Sequence, residues 1–155
     1  MSGHWINPRG YTLRPHHYDE HDGAVWSYNA DPREPLTWAD DGGFHLRPDR
    51  HFLTNLGSVP RLFRNLISQD RFPQAWIQHD SACEHHGAYF SRSEHGDYVL
   101  APLTSAEACD LMRAGILASG GAPWLAGLIY WAVRLCGPQW SDGVCRRRSR
   151  LQGDD

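Results

Sequence analysis

Apolar positions along this chain change their period near its middle. Up to about residue 56 they come in brief runs separated by Asp, Gly and Pro, whereas after Pro60 they recur at helical spacing. In the first half, residues 23–28, 36–38 and 44–46 are short strand candidates. Residues 44–47 and 51–54 flank Pro48-Asp49-Arg50, which predicts a hairpin whose turn Pro48 initiates. In the second half, Leu62, Phe63, Leu66 and Ile67 form one helical face, and a further helix is expected over 73–87 with Gly87 as its stop. The next helix has an explicit start, because Thr104 as N-cap with Glu107 three residues later makes a capping box, with Leu103 before it as a staple. A last helix begins with Pro123 in its first turn, carries Leu125, Leu128, Ile129, Ala132 and Val133 inward, and ends at Gly137. These elements predict an α+β fold, with an N-terminal short-stranded antiparallel β region packed on a C-terminal bundle of three to four helices.

Length narrows the picture to one globular domain over residues 1–145, followed by an Arg-rich, flexible tail over 146–155. The net charge of -3 argues against a general nucleic-acid binder, although Arg146, Arg147, Arg148 and Arg150 cluster near the end. The first residues lack the basic start and apolar run of a secretory signal, which makes the cytoplasm the default location. The longest apolar run, 122–136, is interrupted by Arg134 and falls short of the roughly 18 residues expected of a transmembrane span, so it predicts a buried core helix. Cys83, Cys109, Cys136 and Cys145 show no C-x-x-C spacing, so reduced, buried thiols are expected rather than a zinc ribbon.

Candidate chemistry concentrates at the adjacent pair His79-Asp80 on the helix expected over 73–87. A histidine titrates near neutral pH, and a neighbouring carboxylate can orient its ring, bind a metal or take up a proton. Asp110, about one helix downstream, would meet His79 if the two helices run antiparallel. Helical spacing also puts His79, Cys83 and His86 along one face, with Cys109 as a fourth zinc donor. His16, His17 and His21 lie in a segment rich in Pro, Asp and Gly and are read as an exposed polar loop rather than a metal site. A non-catalytic alternative stands beside these: His79 and Asp110 as a buried polar pair tying two helices, with Asn55 and Ser58 capping the connection from strand to helix.

The run Phe52-Leu53-Thr54-Asn55-Leu56-Gly57-Ser58-Val59-Pro60-Arg61, followed by Trp76-Ile77-Gln78-His79-Asp80 and then Asp110, resembles the bacteriophage and prophage family called domain of unknown function 1353. The closing segment with Tyr130, Trp131 and Gly137-Pro138-Gln139-Trp140 extends the resemblance over residues 44–140. Two positions depart from the family's pattern: Asn55 replaces an Asp, and Cys83 replaces a Tyr. The resemblance implies a phage setting, in the host cytoplasm or associated with the virion, with a virion or host-envelope component as partner.

A looser similarity, His-Asp on one helix and Cys-Asp on the next, is to the small calcium-dependent secretory phospholipases of the type-A-two class. It implies His79 as base, Asp80 as a calcium ligand and Asp110 as the orienting carboxylate, although the glycine-rich calcium loop has no counterpart here. The reading is therefore a polar centre of Asn55, Ser58, His79, Asp80 and Asp110. Two roles stand open for it: metal-assisted hydrolysis, with calcium before zinc at Asp80 and His79, or support of a phage structural, assembly or host-interaction protein.

Overall fold

Two antiparallel sheets and three helices make up the computed structural model, which describes residues 2–20, 23–56 and 71–140. The strands are β1 (Gly3–Ile6), β2 (Tyr11–Asp19), β3 (Gly23–Ala30), β4 (Thr37–Asp40), β5 (His45–Arg47), β6 (His51–Thr54), β7 (Gly87–Ser91) and β8 (Val99–Pro102). The helices are α1 (Pro73–His85), α2 (Ser105–Ala118) and α3 (Pro123–Cys136). The expected α+β class is therefore what the chain adopts. The helix face at Leu62, Phe63, Leu66 and Ile67, the candidate Ser58 and the Arg-rich tail lie outside the described residues.

One sheet has the order β1-β4-β5-β7-β8 and the other β2-β3-β6. The expected hairpin over 44–54 does not form, because β5 pairs with β4 and β7 whereas β6 pairs with β3 of the other sheet. Pro48-Asp49-Arg50 is instead the crossing between sheets. The Asp49 amide donates to Ser81 Oγ on α1 at 2.8 Å, and the Asp49 carboxylate meets His85 Nε2 at 2.9 Å, so the would-be turn is anchored to a helix. His16 and His17 also depart from expectation: they sit in β2, exposed, at a bulge after Pro15. β2 is an edge strand, where a proline costs no ladder bond.

The helix bounds follow from local chemistry. α1 and α3 start with proline in the first turn, and at α2 Thr104 accepts from the Glu107 amide while Glu107 reaches back to the Thr104 amide. At the end of α1 the left-handed residue is His86, with φ 51°, and Gly87 already belongs to β7. A glycine is required there for proximity, since a Cβ on Gly87 would lie 2.4 Å from the Ala101 carbonyl oxygen of β8. The hairpin of β7 and β8 interrupts the expected run of helices.

α1 packs on α2 and also against β6 of the smaller sheet and β7 of the larger, which puts it at the junction of both sheets. The core there comprises Tyr28, Leu36, Trp76, Ile77, Cys109, Met112, Ile116 and Ile129, all nearly inaccessible to solvent. α3 covers α2 from the other side. Its inner face buries Leu125, Ala126, Ile129, Ala132 and Val133, while Leu128 is only half-buried. Among the described residues no helix is long and apolar enough to cross a membrane.

Candidate functional site

His79 lies at the centre of α1, where the apolar face of the helix turns toward α2. The residue is only 4% exposed. Trp76, one turn earlier, meets the ring edge-on at a centroid distance of 6.5 Å. One turn later, Cys83 places Sγ 3.7 Å from Nδ1 and 3.8 Å from Nε2. From α2, Cys109 Sγ stands 3.9 Å from Nε2. The imidazole is thus held between aromatic and sulfur groups, with the Asp80 Oδ1 carboxylate oxygen 3.7 Å from Nδ1.

Asp80 is better placed for a different partner. Its Oδ2 accepts a hydrogen bond from Thr54 Oγ1 at 2.5 Å, and Thr54 Oγ1 accepts in turn from the Leu56 amide at 3.0 Å. This chain joins the last residue of β6 to α1 and turns the backbone through Leu56, whose φ is +53°. Asn55, between them, is buried at 2% exposure. Thr54, His79 and Asp80 therefore form one polar locus at the junction of β6 and α1, with the buried Asn55 next to Thr54 in the chain.

Asp110 is not part of it. The side chain is exposed, and its neighbour Cys109 is the α2 residue that touches His79. The reason is helical phase: α2 buries Ala108, Cys109, Met112 and Ile116, and a residue one step from Cys109 is rotated about 100° away. That apolar register is present in the sequence and is the signal that would point to Cys109 as the inward residue. His86 likewise leaves the expected zinc face, because the helix ends at His85 and the His86 ring stacks on Trp140 at 5.1 Å.

Burial is the largest influence on His79 and disfavours its charged form. The opposing effects of Cys83, Asp80 and Cys109 outweigh it and hold the imidazole pKa well above its ordinary 6.5. Among the described residues no group of three or more His, Cys, Asp and Glu side chains is arranged to hold a metal ion. A metal on imidazole lies in the ring plane along one nitrogen lone pair, whereas Cys83 Sγ is nearly equidistant from both nitrogens. Calcium takes six to eight oxygens, and here one Asp80 oxygen is already bonded to Thr54. Among the described residues the donors fit neither ion.

The third part of the motif has an equally local role. Trp140 is buried, donates from Nε1 to the Leu103 carbonyl at 2.7 Å and covers His86, locking the segment after α3 against the start of α2. Comparison with known protein families, curated proteins and solved structures finds no match to the chain.

Proposed function

We propose that this chain is a phage- or prophage-encoded structural, assembly or host-interaction protein whose His-Asp motif holds the fold together rather than turning over a substrate. The observation that carries this reading is the Thr54 to Asp80 hydrogen bond beside a ring occupied by protein on both sides. Asp80 Oδ2 is committed to Thr54, and the His79 ring is flanked by the sulfurs of Cys83 and Cys109. A general base, in contrast, needs a nitrogen within about 3 Å of the proton it removes and room for the substrate that carries it. The phage setting rests on the resemblance of residues 44–140.

A role exercised through contact is supported by the outer face of α3. Trp124, Trp131 and Leu135 are 68, 59 and 75% exposed and fall along one stripe of the helix. Soluble monomers seldom present adjoining large apolar side chains without a use for them.

The competing reading is hydrolysis with His79 as base and Asp80 beside it, assisted by calcium or zinc. Hydrolysis of short-chain phospholipid and p-nitrophenyl esters, with and without either ion, separates the two when His79→Ala and Asp80→Asn are run alongside thermal melts. The expected result is no ion-dependent turnover and a lowered melting temperature in both variants. Ion-dependent hydrolysis by the parent, abolished in either variant at an unchanged melting temperature, would overturn the proposal.

A further inference from the structure

The outer face of α3 carries a glycine that no contact among the described residues explains. Gly127 lies inside the helix, where glycine is a less stable choice than alanine. A Cβ there would meet no other side chain or neighbouring element within 4 Å, so the missing side chain makes room for nothing among the described residues. Around it run Trp124, Leu128, Trp131 and Leu135, at spacings of four, three and four residues. That spacing sets them in one seam roughly 16 Å long. Trp124, Trp131 and Leu135 stand largely open to solvent and Leu128 is half-buried.

Charge narrows what can cover such a face. Arg134 is the only charged residue of α3, and its guanidinium donates to the Gln139 side chain. A helix that lies on an anionic membrane carries Lys and Arg beside its apolar stripe, and a strongly charged protein partner calls for an opposing patch. α3 offers neither. Its complement is a neutral apolar surface, and a second copy of the chain presents one with no like charges to bring together.

We propose, resting on the reading of this face as a contact surface, that α3 pairs with α3 of a second copy of this chain, antiparallel about a two-fold axis between Leu128 and Trp131. In that register Trp124 lies against Leu135 of the second copy and Leu128 against its Trp131, so each seam contact sets an indole on a smaller leucine. Gly127, beside Leu128, leaves the gap that Trp131 of the second copy enters. A parallel pairing would instead set each indole on its own counterpart. Tyr130 meets the Trp131 ring edge-on at a centroid distance of 5.3 Å, which orders that indole before the copies meet and lowers the cost of association. Trp124, Trp131 and Leu135 expose roughly 400 Å² per copy, about 800 Å² for the pair. With Leu128 and Tyr130 at the margin the interface approaches the low end of the roughly 1,200–2,000 Å² of specific complexes. The dimer is therefore weak and forms at micromolar concentration and above.

Sedimentation velocity on the full chain from about 1 µM to about 1 mM brackets that affinity, with Trp131→Glu and Gly127→Ala run beside the parent. The parent is expected to pass from monomer to dimer across this range. A two-fold contact repeats each substitution, so Trp131→Glu is expected to weaken pairing about a hundred-fold or more. Gly127→Ala is expected to weaken it about ten-fold by filling the gap. Trp131 is exposed and Gly127 faces open space, so both variants should melt no lower than the parent, which separates lost pairing from lost folding. A parent that stays monomeric throughout overturns the proposal, as does a dimer whose affinity is unchanged in either variant. A monomeric parent that cosediments with phosphatidylglycerol vesicles also overturns it, by giving the face to a membrane. None of these results touches the non-enzymatic reading of the molecule, which ion-dependent hydrolysis would overturn on its own.

Discussion

At His79 the charge on the imidazole is a stability term whose sign can be followed. The folded protein holds the ring's proton more tightly than the unfolded chain, whose histidine titrates near 6.5. Such a group contributes its full stabilisation below 6.5 and loses it as pH rises through the higher folded value. Urea midpoints measured from mildly acidic to alkaline pH should therefore fall on the alkaline side of 6.5 for the parent and fall less for His79→Gln. Identical slopes for the two proteins would show that His79 is not the group responsible. Much of this locus was visible beforehand. The His79-Asp80 pair and Asn55 are recognisable as residue types, whereas the sequence reading sets Asp110 against His79 and gives Cys109 a place only as a fourth zinc donor, because a carboxylate advertises chemistry and a thiol in an apolar register advertises packing.

The elements were legible where the chain carries its own stop and start signals. Pro73, Pro123 and the Thr104–Glu107 capping box lie where α1, α3 and α2 begin. Strand pairing was not legible, since β5 and β6 have apolar patterns that fit a hairpin, whereas in the structure they pair with different sheets and Asp49 between them is anchored to Ser81 and His85 of α1. β7 and β8 were missed because runs of five and four residues give too little alternation to stand out between helices. Gly87 was seen as a helix stop, and its actual use is to let β7 approach β8. Gly87→Ala should accordingly destabilise the fold by about 1–3 kcal/mol through overpacking against a backbone atom that cannot swing aside. Chemical denaturation would measure this, and a variant as stable as the parent would mean the hairpin can spread at no cost.

Among the described residues α1 packs against a strand of each sheet and the Pro48 crossing joins them, so both carry coupling between the sheets. Ser81 Oγ is the acceptor for the Asp49 amide within that crossing and is 1% exposed at the residue level. Ser81→Ala should cost about 1 kcal/mol and leave the Asp49 amide buried without an acceptor. Its hydrogen exchange should then quicken more than that of β3 amides in the sheet interior. Equal changes at both places would indicate global weakening instead of a local release of the crossing. The α+β class itself was legible from the change in apolar period near residue 56, because that change reflects two different ways of burying a face.

A double-mutant cycle of Thr54→Val and Asp80→Ala, read by urea denaturation, isolates the bond that joins β6 to α1. If the motif serves to tie the fold, the two substitutions are non-additive, with a coupling of about 1.5–3 kcal/mol for a charge-assisted hydrogen bond. Strictly additive losses would contradict that role and return His79 and Asp80 to the hydrolytic reading.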